Sequence, residues 1–126
     1  MNFPENLKYT KDHEWVLVEG SNGTIGVTEY AQSELGDVVF VDIDPNVSAI
    51  TKGQSFGTIE AVKTVSDIYA PCNGTVVEIN KLLADSPETI NTDPYGQGWM
   101  VKIKISDLND LNDLLDSSAY KQLIGQ

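Results

Sequence analysis

Apolar residues along most of this chain fall in short β-rich runs separated by polar turn signals, a pattern that reads as strands and not as the 3.6-residue period of helices. Trp15-Val16-Leu17-Val18 and Thr24-Ile25-Gly26-Val27 flank Glu19-Gly20-Ser21-Asn22-Gly23. Two β-rich pieces about an Asn-Gly-containing loop predict a hairpin. Thr28 then reads as a helix N-cap, with Glu29 in the first turn and Gly36 as the stop, giving a short helix near residues 29–35. Val38 to Ile43 is a strand, and Asp44-Pro45-Asn46 and Lys52-Gly53 are loop signals. Residues 55–69 are β-rich, with no glycine, proline or asparagine near the centre. A single strand there would far exceed the usual length of about 5–6 residues, so the stretch must turn, at a place the pattern does not fix.

Pro71-Cys72-Asn73-Gly74 is a further turn and Thr75 to Ile79 a further strand, followed by a looser polar region around 84–98. Trp99 to Ile105 alternates: Trp99, Val101, Ile103 and Ile105 should face one way, and Met100, Lys102 and Lys104 the other. From Ser106 the period becomes helical, through Leu108, Leu111, Leu114, Leu115, Leu123 and Ile124, with Ser106 as cap and Asp107 in the first turn. Two short helices, or one broken one, should pack on the sheets. A weak internal repeat also runs through the chain. Gly36 to Asp42 matches Gly74 to Asn80, and Lys52 to Phe56 sits where Ser86 to Ile90 sits in the second half. The expected fold is mainly β: two antiparallel sheets facing each other about an approximate twofold. A β core would occupy about 7–105 and a C-terminal helical segment about 106–124, all in one domain spanning 1–126.

Composition narrows the functions. The chain has 126 residues, enough for one modest core, and a formal net charge of −11. That balance argues against nucleic acid, which needs a basic patch, and against anionic lipid surfaces. With one cysteine, Cys72, and one histidine, His13, neither a disulfide framework nor a Cys/His zinc site is available. Cys72 reads as a small packed residue and His13 as structural. No apolar run approaches the roughly 20 residues of a membrane span. The N-terminus has neither a secretory h-region nor presequence arginines, so a cytoplasmic protein is expected, with a trimmed mitochondrial matrix protein as the alternative.

Lys63 stands out against this background. It is one of only eight basic residues and lies between the two repeat copies, in Glu60-Ala61-Val62-Lys63-Thr64-Val65. Val62 and Val65 beside it either stand exposed for a docking enzyme or turn inward as packing. No nucleophile–base pair or metal constellation supports catalysis by the chain itself.

Several motifs in order carry a resemblance over nearly the whole chain. They are Tyr9…His13-Glu14-Trp15, then Gly26-Val27-Thr28…Ala31-Gln32…Leu35-Gly36, and Glu60-Ala61-Val62-Lys63 with Ser66-Asp67-Ile68-Tyr69-Ala70-Pro71. Asn91…Asp93-Pro94-Tyr95…Gly98-Trp99-Met100, likened to the last core strand, completes the set. The sequence resembles the glycine cleavage H proteins, lipoyl carriers of the biotinyl/lipoyl-attachment family. The resemblance implies a flattened barrel-sandwich hybrid, a turn at Lys63, and a covalent lipoyl (lipoate) amide on that lysine. It implies a carrier, not an enzyme. The arm would take an aminomethyl group as glycine decarboxylase (P protein) removes CO2, and pass it to a tetrahydrofolate-dependent aminomethyltransferase (T protein). Dihydrolipoyl dehydrogenase (L protein) would then reoxidise it. A lipoate/octanoate ligase or transferase would attach the group; Glu60 reads either as a recognition element for that enzyme or as a polar strand residue. Glu14 and Asp67 match acidic positions beside the resting arm, whereas Asp12 replaces a small hydroxyl residue found in some members. A biotin carrier would show Met on both sides of the lysine, and a 2-oxoacid dehydrogenase lipoyl domain would show Asp-Lys-Ala. The remaining alternative is an H-like protein that relays octanoyl or lipoyl groups to other enzymes.

Overall fold

The computed structural model describes residues 1–126. Nine strands form two antiparallel sheets. The larger holds, in spatial order, β1 (Lys8–Tyr9), β2 (Glu14–Glu19), β3 (Asn22–Val27), β9 (Val101–Ile105), β8 (Gly74–Ile79) and β5 (Ala49–Ile50). The smaller holds β4 (Val38–Asp42), β6 (Ser55–Ala61) and β7 (Val65–Tyr69), with β6 in the middle. Four short helices decorate them: α1 (Glu29–Leu35), α2 (Leu82–Asp85), α3 (Thr89–Thr92) and α4 (Ser117–Ile124), with a 3-10 turn at Leu108–Leu111. No helix is long and apolar enough to cross a membrane.

The alternation read from the sequence becomes the core. Val16 and Ile25 pair across β2 and β3 and meet Val101 and Ile103 of β9, with Cys72 buried among them. Ile59 and Ile68, from the small sheet, pack with Val27, Ile90 and Met100 and close the space between sheets. Burial of each such side chain stabilises the fold by about 1.5–3 kcal/mol before conformational entropy is counted. A third cluster joins Phe3, Leu7, Tyr9 and Trp15 to Tyr120 of α4, and so pins the C-terminal helix over β1 and β2.

Several expectations need correction. The first hairpin turns at Gly20-Ser21, with Glu19 paired to Asn22, so Asn22 and Gly23 belong to β3 and not to the loop. Gly20, at φ 64°, already supplies the positive dihedral a tight turn needs, which leaves Asn-Gly free to extend the strand. The last strand starts at Val101, and its alternation holds only from there: Met100 is fully buried and Trp99 half-buried. Met100 precedes the regular ladder and fills the inter-sheet cluster. Residues 91–98, likened to that strand, are instead the end of α3 and a turn in which Asp93 C=O accepts from Gly96 N and Gly98 N. The polar region holds α2 and α3, whose four residues each are too few to write a helical period into the sequence. Asp107, not Ser106, caps the 3-10 turn, because its carboxylate reaches Asn109 N. The repeat survives only in its first part. β4 and β8 lie in opposite sheets, but residues 52–56 lead into β6 while residues 86–90 lead into α3.

Candidate functional site

The long β-rich stretch breaks at Val62-Lys63-Thr64, between β6 and β7. Ala61 N–H donates to Thr64 C=O at 2.8 Å and closes the loop. Val62 N–H donates to Asp37 C=O at 3.1 Å and ties the tip to the start of β4. None of the three loop residues takes a positive φ. The turn therefore needs no glycine or asparagine, which is why the usual hairpin signal is missing here. Lys63 stands exposed at the tip, and its ammonium makes no ion pair or side-chain hydrogen bond. Val62 and Val65 beside it are 72% and 61% exposed, which settles their orientation outward. Glu60 is also exposed, in register between Phe40 of β4 and Val65 of β7.

Asp67 lies four residues beyond Lys63, roughly 13 Å along β7. It lines a cavity of about 130 Å³ with Asp12, His13, Glu14, Glu34 and Ser66, over an apolar floor that includes Val27, Ile59 and Ile68. Four carboxylates thus converge on one small cleft. Asp67 accepts from Ser55 Oγ at 3.0 Å and stays exposed. Glu14 is the opposite case, only 2% exposed.

A compact turn builds the Glu14 position. Thr10 Oγ1 accepts from Asp12 N and Glu14 N and donates to Glu14 Oε1 at 2.6 Å. His13 N–H bonds Thr10 C=O, and Thr28 N–H bonds His13 C=O. Tyr69 N–H, from β7, reaches Glu14 Oε2 at 3.3 Å. Donors on both oxygens favour the carboxylate, and burial favours the acid. Burial wins: it pushes the Glu14 carboxyl up from 4.5 to about 7, against the pull of Thr10 and Tyr69. A cation entering the cleft would restore the charge and gain a partner that bulk water cannot screen.

The cleft's other wall is α1. Thr28 Oγ1 caps it by accepting from Ala31 N. Asn91 holds its far end, donating to Gly36 C=O and Gln32 Oε1 while accepting from Val38 N of β4. Trp15 lies flat against Gly26, where any Cβ would come within 2.6 Å of the indole, and its Nε1 donates to Pro94 C=O. These bonds give Gly26, Asn91 and Pro94 their places in the motifs.

Of the residues picked from the sequence, Glu14 and Asp67 come together in the cleft with Asp12, Lys63 stands at the hairpin end of the same strand, and Glu60 stays outside the cleft. Cys72 is fully buried, and burial pushes its thiol up to about 11. Sequence reading gave no role to Glu34 or Tyr120. Glu34 shows no pattern beyond an acid on a short helix, and Tyr120 meets His13 from 107 residues away. A larger groove, about 510 Å³ between β4, β8 and α2, is mostly apolar. Its charged groups are only Glu78 and Lys81, so the chemistry favours the smaller cleft.

Comparison with known proteins identifies a family and a shared fold. The family profile described as glycine cleavage H-protein matches residues 7–126. The glycine cleavage system H protein of Staphylococcus carnosus is 56% identical over 126 residues, all of both chains. That of Bacteroides thetaiotaomicron is 51% identical over 98% of each chain. A crystal structure of a glycine cleavage system H protein from Mycobacterium marinum superposes with a TM-score of 0.89 at 38% identity, covering 98% of this chain and all of that one. Tip, cleft, fold and full-length similarity converge: the chain belongs to the glycine cleavage H-protein family.

Proposed function

We propose that Lys63 carries the lipoyl group of this glycine cleavage carrier, and that Glu14 and Asp67 belong to the cleft in which the loaded arm rests. The observation that carries the reading is a free lysine at a hairpin tip beside a cleft of four carboxylates. The residues fit the group. An exposed, unpaired amine is open to acylation, and an acidic cleft suits an arm that ends in an amine. Acylation removes one positive charge and takes the formal net charge from −11 to −12. Attached to Lys63, a lipoyl group would supply a strained cyclic disulfide, whose S–S bond opens to accept the aminomethyl unit on one sulfur and leave a thiol on the other.

The chain's own residues do the rest. Ala61–Thr64 and Val62–Asp37 bonding fixes the direction in which Lys63 leaves the sheet. Tethering turns each later encounter into a local search at high effective concentration. Glu14 and Asp67 hold the amine, Ile59 and Ile68 exclude water beneath it, and Glu60 with Val62 and Val65 meets the lipoate/octanoate ligase or transferase. The P, T and L proteins take the arm in turn, each through a transient contact. The whole chain acts as one carrier domain, in the cytoplasm, as suits its bacterial relatives. The cleft also favours this reading over relay of octanoyl groups, because a neutral acyl chain gives four carboxylates nothing to bind.

The test is intact-mass measurement on protein from its native cell, followed by peptide mapping. A lipoyl or octanoyl increment on Lys63 is expected, and an unmodified chain in a lipoylation-competent cell would refute the attachment site.

A further inference from the structure

The cleft's two walls meet at a residue outside it. Tyr120, on α4, is fully buried, stacked on Tyr9 at 4.8 Å and edge-on to Phe3. Its hydroxyl lies 2.9 Å from His13 Nδ1 and 2.8 Å from Thr28 Oγ1. His13 belongs to the turn that carries Glu14, and Thr28 caps α1. One phenol therefore links both sides of the cleft.

Counting hydrogens gives the chain a direction. Thr28 Oγ1 already accepts from Ala31 N, is fully buried, and has no other side-chain partner than Tyr120. Were His13 to donate to Tyr120 and Tyr120 to Thr28, the threonine proton would be buried without an acceptor. Run the other way, Thr28 O–H donates to Tyr120, Tyr120 O–H donates to His13 Nδ1, and every group is satisfied. His13 is then the neutral tautomer with its proton on Nε2, a nitrogen with no protein partner. Burial agrees, because it lowers the imidazole's affinity for a second proton more than Asp12 and Glu34 raise it. Burial also keeps the phenol protonated, raising it to about 12.

His13 further holds φ 73°, the only residue other than glycine with a positive φ. That conformation is uncommon outside glycine, although His, like Asn and Asp, adopts it more readily than most residues, and here the surrounding bonds hold it. Its N–H, C=O and ring are all engaged. The imidazole is also the only side-chain nitrogen among the groups lining the cleft.

We infer that Tyr120 is a positioning residue of the arm cleft: its hydroxyl fixes His13 as the Nε2–H tautomer and locks the Glu14 turn to the cap of α1. The C-terminal helix thus works at a distance on the resting arm. This rests on the cleft reading above.

The experiment uses the full chain and Tyr120→Phe, which keeps the ring contacts with Phe3, Tyr9 and His13 and removes only the hydroxyl. His13→Asn is the second variant, since asparagine tolerates positive φ and lacks the ring. The first readout is the imidazole ¹⁵N spectrum of the unlipoylated chain. A protonated Nε2 with an unprotonated, hydrogen-bonded Nδ1 is expected in the parent, and a mixed tautomer population in Tyr120→Phe. The second is ammonia release from the lipoylated, amine-loaded protein, a loss that takes up one water and returns thiol, formaldehyde and ammonia. Tyr120→Phe should speed it about fivefold, the factor that corresponds to one ordinary hydrogen bond. His13→Asn should do the same, and the double variant should add little to either. A parent spectrum with the proton on Nδ1 overturns the inference. So does an unchanged release rate in both variants while the parent still outlasts a free dihydrolipoamide adduct. If the parent decays as fast as that free adduct, the cleft reading itself fails.

Discussion

The hairpin tip and the Glu14 turn, proposed above as the attachment and storage ends of one site, are built on opposite principles. Lys63 is exposed, unpaired and flanked by two outward valines, with only backbone bonds below it. Glu14 is buried, bonded at both oxygens, and set in a turn closed by bonds at Thr10, Asp12 and His13. A group that must enter other proteins' active sites belongs on a projection that nothing holds. A group that must hold cargo safely belongs where water and motion are both excluded. The contrast teaches that attachment and storage make conflicting demands on one fold, and that the chain separates them along β7.

That separation can be broken at either end. Lys63→Arg should abolish glycine-dependent NADH formation in a reconstituted system and leave the unfolding midpoint unchanged. Residual turnover would mean that another residue carries the group. At Glu14 the effect should appear in stability. The folded carboxyl binds its proton up to about pH 7, whereas the unfolded one loses it near 4.5. Stability from this group is therefore complete below 4.5 and falls as pH rises to about 7. The fall is about 3 kcal/mol at most. Urea unfolding from pH 4.5 to 8 should show this decline in the unmodified chain and a flatter profile in Glu14→Gln. Equal slopes would mean that the carboxyl is not desolvated. Gly26→Ala pushes a methyl into the Trp15 ring beside that turn and should cost about 2 kcal/mol. Val62→Ser should change stability by less than about 0.5 kcal/mol. Its lipoylation rate should nevertheless drop, and an unchanged rate would remove Val62 from the enzyme contact.

Much of this was legible in the chain because it was local. Strand alternation put Val101, Ile103 and Ile105 on one face, which is the core face they share with Val16 and Ile25, and Thr28 and Gly36 marked the ends of α1. Lys63 stood out in the sequence through its motif, although its turn did not. A loop that stays at negative φ leaves no compositional trace, and only the family resemblance located it. What escaped reading was whatever depends on distant partners. Met100 sits in the inter-sheet core where the ladder is irregular: its N–H goes to the C=O of Ile25, the residue in register with Val101. Asn91 joins α1 to β4 from 53 residues beyond Val38. Glu34 enters the cleft only because α1 lies across it. Glu14 and Asp67 carried no local mark that separated them from the chain's other acids. Their convergence is a product of sheet packing.

The single bond from Val62 N–H to Asp37 C=O has a mechanical consequence. A partner that draws Lys63 into its own active site pulls on the tip. The load enters the sheet at Val62, where it is shared by β4 and by β6, the one strand of the small sheet paired on both sides. Pulling along paired strands loads several ladder bonds in shear at once. β7 leaves the same tip and carries both Asp67 and the Tyr69 N–H that reaches Glu14, so part of that load also passes into the cleft. A pull on Lys63 is thus felt by the carboxylates at the far end of the hairpin.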